Sequence, residues 1–251
     1  MLFFKNYLVV TLLFISHLSK AADQVPVHEE KKSLIETVLL LMHDQLNRDL
    51  IRAVKKDDIE LVKIILDGTK ANVNYIKRSW SCLMSAQSKE MAQLLITHKA
   101  DVNLEIDGKS TLHHAVEWPI DHLVKTLLEH KADIEAQDYD GNTPLHSAHT
   151  PKIAQLLLDH KADPRAKNAV GDTPVQTIAS IRVLPDGSKI IQQLIEAKAD
   201  IDHKNKKGQT ALHIALSKQD ADLAQCLLNA GASMTANDEQ IVTRMKLRAK
   251  K

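Results

Sequence analysis

Asp140-Gly141-Asn142-Thr143-Pro144-Leu145-His146 is the run from which the fold can be read, because weaker copies recur along the chain. The copies are Asp107-Gly108-Lys109-Ser110-Thr111-Leu112-His113, Val170-Gly171-Asp172-Thr173-Pro174-Val175-Gln176 and Lys207-Gly208-Gln209-Thr210-Ala211-Leu212-His213. An apolar stripe follows each run and leads to a small pivot: Lys131-Ala132-Asp133, Lys161-Ala162-Asp163, Lys198-Ala199-Asp200 and Gly231-Ala232-Ser233, with Lys99-Ala100-Asp101 upstream. From Ala71 to Ala232 the pivot alanines are 29, 32, 30, 37 and 33 residues apart. A mean period of about 32 residues indicates stacked supersecondary units.

Each motif position has a structural reason. The glycine stands two residues before the Thr or Ser, where a tight turn needs positive φ. The hydroxyl then caps a helix, and Pro144 or Pro174 fits its first turn, where no amide donor is required. Leu83, Leu112, Leu145 and Leu212 are expected to point into the stack, where truncation to Ala costs about 2–5 kcal/mol.

Gly-x-Thr-Pro-Leu-His followed by Leu-Leu-x-x-(Gly/Lys)-Ala-Asp resembles the ankyrin repeat over roughly residues 46 to 240. The resemblance implies an all-α ankyrin-repeat α-solenoid, with a helix-turn-helix and a β-hairpin loop per repeat and a capping helix at each end. It also implies non-covalent protein binding through hairpin tips and the concave face of the first helices, without catalysis or cofactor. His113, His146 and His213 occupy the motif position whose ring bonds within and between repeats in that family.

Taken in order, Lys5 precedes an apolar run from Tyr7 to Leu18, and Ser19-Lys20-Ala21 offers a cleavage site. Residues 1–21 therefore read as a signal peptide cut after Ala21, too short to span a bilayer, and the mature chain as secreted or periplasmic. Removing Lys5 and Lys20 leaves 31 basic and 32 acidic side chains, a formal charge of −1. Such a balance supports neither nucleic-acid binding nor a hold on acidic membranes. Residues 22–31 read as a flexible leader, 32–46 as an N-terminal capping helix and 47–237 as about six repeats. Residues 238–251 read as a C-terminal capping helix. The competing reading of 32–46 is a docking helix for a partner.

Spans from motif Leu to pivot Ala vary in length: 17 residues from Leu83 and Leu145, 20 from Leu112 and Leu212, 24 from Val175. Repeats two and four are thus expected to have clipped first helices, and repeat five an insertion near Leu184-Pro185-Asp186-Gly187. Cys82 and Cys226 stand four repeats apart, too far for a disulfide. His98, His130 and His160 form a second periodic set whose members sit in different repeats, too far apart to share a metal at Zn–N distances. No nucleophile turn, phosphate loop or His-Glu-x-x-His is present, so neither enzyme activity nor a metal or cofactor is expected.

Downstream of residue 21 the aromatics are Tyr75, Trp80, Trp118 and Tyr139, all in repeats two to four. Trp and Tyr dominate binding hot spots. They are placed on successive hairpins (Tyr75, Trp80, Tyr139) and at the end of a first helix (Trp118). With Lys77, Arg78, His114, Glu117 and Asp138 they form the expected partner-binding surface, and Glu105, Asp107 and Lys109 are neighbours. The opposing reading is that the rings fill space over the clipped helices. The Lys204-Asn205-Lys206-Lys207 hairpin is basic. The expected function is that of an exported, monomeric, effector- or adaptor-like binding protein, or alternatively of a periplasmic inhibitor or immunity-like protein. An enzyme on a repeat scaffold and a structural spacer are the remaining alternatives.

Overall fold

The computed structural model describes residues 29–181 and 184–249, with side chains for 41–181 and 184–243. The expected signal peptide and residues 22–28 of the expected leader lie outside the described residues. Within the chain two compact units form, one ending at Val102 and the other starting at Asn103. The division falls inside the 47–237 region read above as one domain, between the Ala100-Asp101 pivot and the next hairpin.

The first unit opens with helix α1, Glu29–Lys55, followed by α2, Ile59–Gly68. The capping helix expected at 32–46 is not a separate element. No Gly or Pro interrupts residues 32 to 55, so cap and first repeat run on as one helix. Asp58 starts α2 by accepting the Leu61 amide at 3.0 Å. Leu50, Ile51 and Val54 of α1 are buried, as are Val62 and Ile65 of α2, and the two helices pack together. Strands β1, Ile76–Lys77, and β2, Trp80–Ser81, pair antiparallel across the two-residue turn Arg78-Ser79. Both turn residues have positive φ, +50° and +61°, the geometry that matches strand twist in a tight hairpin. A 3₁₀ turn, Leu83–Ser85, and α3, Lys89–Thr97, complete the unit.

The second unit repeats this plan. Strands β3, Glu105–Ile106, and β4, Lys109–Ser110, form a hairpin that leads into α4, Thr111–Glu117, and α5, Asp121–Glu129. Then come a 3₁₀ turn at Pro144–Ser147, α6 at Pro151–Asp159, α7 at Pro174–Ser180 and α8 at Gly187–Glu196. Last are α9, Ala211–Lys218, α10, Ala221–Asn229, and α11, Ala236–Ala249. First helices pack on first helices and second on second, α7 against α9 and α6 against α8, giving two layers. Leu112, Leu145, Leu157, Ile178, Ile191, Leu212 and Leu227 lie buried between them. The architecture is all-α, as the motif implied.

In the two clipped repeats the first helix is reduced to a 3₁₀ turn, Leu83–Ser85 and Pro144–Ser147. The longer link of the fifth repeat separates α7 from α8, and Asp186 stands at the N-cap of α8.

At the pivots, Lys99, Lys131, Lys161 and Lys198 end the second helices at φ of +66°, +60°, +72° and +67°, where the last repeat uses Gly231 at +92°. Four L-residues thus hold a left-handed C-terminal position that favours glycine. Return bonds fix them: Lys131 N–H donates to Leu128 O at 3.1 Å and Ala132 N–H to Leu127 O at 3.0 Å.

Candidate functional site

Three ladders hold consecutive hairpins and helices in register and set the surface a partner would meet. The first is made by the motif His. In His146 the ring Nδ1 accepts from the Thr143 amide at 3.1 Å and pairs with its hydroxyl at 3.0 Å, so Nε2 carries the proton and donates to Asp172 O at 3.1 Å. His113 does the same with Ser110 and Asn142 O. Gln176 fills the role in the fifth repeat. Its Oε1 accepts from the Thr173 amide, and its Nε2 donates to Gln209 O at 2.6 Å. Each acceptor is the carbonyl just before the next repeat's capping Thr. Among the described residues no further hairpin follows His213, and its Nε2 instead faces Asp238 Oδ2 at 3.5 Å. Asp238 is 1% exposed and accepts from the amide and hydroxyl of Thr235, both at 2.7 Å. Burial lowers the pKa of His113 and His146 below the ordinary histidine value.

The second ladder joins hairpin tips. Asp138, Asn168 and Asn205 each accept two amides of their own turns. Asn168 Nδ2 then reaches Asn142 Oδ1 at 2.9 Å, and Asn205 Nδ2 reaches Asp172 Oδ1 at 2.7 Å. Ala169 N–H donates to Asp140 O at 2.8 Å, a contact that needs Gly141, since a Cβ there would stand 2.8 Å from Ala169 N. The third ladder ties pivots: the Asp101, Asp133, Asp163 and Ser233 amides donate to Asn74, Asn103, Glu135 and Asp202 of the preceding repeats.

Several residues read above as partner contacts are engaged within the fold, in these ladders or inside a single repeat. Asp138 holds its own turn, the His114 ring donates to Ile106 O at 3.2 Å, and Glu117 pairs with Lys109 at 2.6 Å. On the second unit Trp118 and Tyr139 remain 62% and 85% exposed. One edge of the Tyr139 ring covers Gly108, where a Cβ would meet it at 2.0 Å. Val170, 50% exposed on the tip next to Tyr139, was missed by the sequence reading. An apolar β-branched residue directly before a turn Gly was the available signal.

On the first unit, Tyr75 and Trp80 flank a single hairpin, and Tyr139 belongs to the second hairpin after it in chain order, so the three are not on successive hairpins. The reason is the two-residue turn at Arg78-Ser79, which leaves residue 75 just before the first strand and residue 80 at the start of the second strand of the same hairpin. Both rings are half-buried, and the Tyr75 hydroxyl donates to Asp44 Oδ1 at 2.9 Å. Lys77 pairs across the hairpin with Trp80. Partial desolvation, then the charges of Arg52, Arg48, Arg78 and Lys55, hold the Lys77 ammonium below its ordinary value of 10.5. This cationic cluster was also missed, because α1 and the hairpin are some 25 residues apart in sequence.

The periodic histidines close the second helices. His98, His130 and His160 each donate from Nδ1 to the carbonyl four residues back, at 2.9, 2.9 and 2.8 Å. His98 also places Nε2 2.8 Å from Asp67 Oδ1. With acceptors on both nitrogens the ring favours the imidazolium, and its pKa is raised, mainly by the Asp67 hydrogen bond. No group of three or more metal-ligating side chains converges among the described residues. Cys82 is fully buried, which pushes its thiol up to about 12, and both cysteines are free. An open groove of about 610 Å³ between α8 and α10 is lined by Ser188, Gln192, Glu196, Asp222 and Cys226, on the layer of second helices. Among the described residues no helix is long and apolar enough to cross a membrane.

A family model described as ankyrin repeats (3 copies) matches residues 50–138 and 149–238. The chain is similar to Regulatory protein NPR6 of Arabidopsis thaliana, 31% identical over 128 residues, which is 50% of this chain and 26% of that protein. It is also similar to the BTB/POZ domain and ankyrin repeat-containing proteins COCH of Pisum sativum and NOOT2 of Medicago truncatula. These are 33% and 32% identical over 111 residues, 43% of this chain and 23% of each relative. The chain thus spans about a quarter of the length of these relatives.

Proposed function

This chain belongs to the ankyrin-repeat family, and from that premise we propose that it is an exported, non-catalytic binding protein of the effector or adaptor kind. The ladders explain why the motif residues are there; they do not explain Trp118, Tyr139 and Val170. Two large aromatic side chains at 62% and 85% exposure, the second with an exposed Val on the adjacent tip, are the observation that carries this reading. Tyr139 and Val170 sit on adjacent tips locked by the Ala169–Asp140 bond, so they are held in place before any partner arrives. Export rests on the apolar run and the Ser19-Lys20-Ala21 site.

The test uses the purified chain and a Trp118→Ala/Tyr139→Ala variant as bait. Extracts come from the envelope of the producing cell and from neighbouring cells. A protein held by the parent and lost by the variant, at matched thermal stability, supports the reading. Equal capture by both removes the aromatic surface from it. Capture from the producer's own envelope turns the assignment towards an inhibitor or immunity-like role. The mass of the chain recovered outside the cytoplasm tests the cut after Ala21, and an intact N-terminus there overturns it.

A further inference from the structure

The face of α1 bearing Arg48, Arg52 and Lys55, together with the Lys77-Arg78 hairpin, concentrates positive charge in the first unit. Residues 48, 52 and 55 fall at helical spacing i, i+4 and i+7, on one face of α1. On the same face the Tyr75 hydroxyl ties the foot of the hairpin to Asp44 of that helix. The two carboxylates in the cluster are already engaged. Asp44 accepts from Arg48 as well as Tyr75, and Asp49 accepts from Arg52 at 2.9 Å and from Gln45 at 3.1 Å. Among the described residues, Lys55, Lys77 and Arg78 have no carboxylate within ion-pair distance.

Arg78 sits in the two-residue turn, with both φ values positive, that joins the strand of Lys77 to that of Trp80. Partial desolvation first, and then the charges of Arg52, Arg48, Arg78 and Lys55, lower the basicity of Lys77. Like charges held this close oppose folding and are relieved when an anion arrives between them.

We infer that this wall of the first unit is a docking surface for an acidic segment of a partner protein, with Lys55, Lys77 and Arg78 taking its carboxylates and Trp80 lying beside its backbone. The inference rests on the protein-binding reading above and adds the chemistry of the partner. A polypeptide fits better than a nucleic acid for two reasons. Asp44 and Asp49 engage Arg48 and Arg52, so the unpaired charge is confined to Lys55, Lys77 and Arg78, a compact patch that suits a short run of carboxylates better than a continuous phosphate backbone. The whole chain carries a formal charge of only +1, without the broad basic field of a nucleic-acid binder.

Fluorescence anisotropy of the intact chain with a labelled oligo-glutamate peptide tests this, with oligothymidine in parallel. Saturable oligo-glutamate binding is expected near about 20 mM salt, weakening towards about 500 mM. The Arg52→Glu/Lys77→Glu/Arg78→Glu variant should bind at least about 10-fold more weakly. Lys204→Glu/Lys206→Glu/Lys207→Glu makes the same charge change in the second unit and should leave affinity unaltered. An Arg52→Gln/Lys77→Gln/Arg78→Gln variant, expected to lose about half as much on a logarithmic scale, carries the test if charge reversal shifts the unfolding temperature. Failure of the parent to bind oligo-glutamate, equal losses in both reversal variants, or tighter binding of oligothymidine each overturns the inference. The same variants as bait separate it from the wider reading. A partner kept by every charge variant removes the acidic segment and leaves protein binding intact. Oligo-glutamate binding with no partner captured by any bait leaves the patch and counts against the wider reading.

Discussion

Replacing His146 by Gln and by Ala separates what its hydrogen bonds hold from what its protonation costs. The ring is 1% exposed and joins the Thr143 amide and hydroxyl to Asp172 O. Ala strands a buried amide and a buried carbonyl at about 1–3 kcal/mol each and opens a cavity, so a loss of about 3–5 kcal/mol is expected. Gln can reproduce the pattern, as Gln176 does in the next repeat, and should cost about 1 kcal/mol or less at pH 7.5. The pH dependence has a definite sign. Burial lowers the folded pKa below the ordinary 6.5, so the neutral ring's stability is complete above that value. As pH falls below 6.5 the unfolded chain takes up a proton that the folded one resists, and stability falls until the lowered folded value is passed. The parent should therefore lose ground to His146→Gln by up to about 1.4 kcal/mol per pH unit below 6.5. Urea unfolding followed by circular dichroism at pH 7.5 and 5.5, on parent and both variants, measures this. A parent that gains on His146→Gln as pH falls would show the folded ring to be charged, and equal costs for Ala and Gln would show that the bonds hold nothing.

Three further outcomes are expected. His98 has the opposite sign: its raised folded pKa gives stability present below 6.5 and lost as pH rises through the folded value. Asp67→Asn should bring the NMR titration midpoint of His98 down towards 6.5, and an unchanged midpoint would remove Asp67 as the cause. Gly208→Ala adds a methyl with nothing within 4 Å and should cost about 1 kcal/mol for the left-handed backbone alone. Gly141→Ala also meets Ala169 N and should cost about 3 kcal/mol, so equal thermal shifts would contradict the tip-to-tip contact. Asp238→Ala removes the two Thr235 bonds and the partner of His213, and is expected to cost about 2–3 kcal/mol. Amide exchange should speed up in α11 before it does in α7; uniform exchange would assign the last rung no local role.

Much of this was open to reading from residue order. Gly-x-Thr-x-x-His encodes a turn, a cap and a ring that returns to the cap, all within six residues, so short-range chemistry is enough to recognise it. Counting from Leu83 and Leu145 to their pivots located the two clipped helices, because backbone length is conserved whatever it packs on. Other features were hidden by the same logic. The pivot lysines adopt a glycine-like φ that their identity argues against, and only the return bonds of the finished helix end hold them there. The unbroken α1 defeated a boundary drawn at residue 46, since periodicity marks an apolar face but not the point at which one repeat hands over to the next.

The candidate surface divides in the same way. Four aromatics are visible as types, but their environments are set by groups about 30 residues away: Asp44 for Tyr75, and Gly108 for the Tyr139 ring. Asp138, Glu117 and His114 looked available and are engaged, because a turn's own amides and a neighbouring Lys reach them first. Residue order settles the repeat, its capping chemistry and its buried leucines, for which partners lie within a turn or two along the chain. Stacking settles which polar groups are consumed in joining one repeat to the next, that Asp238 stands where the last histidine would find a carbonyl, and that five cations from a helix and a hairpin share one wall. Those outcomes depend on side chains brought together across a whole repeat, a distance at which local propensity carries no information.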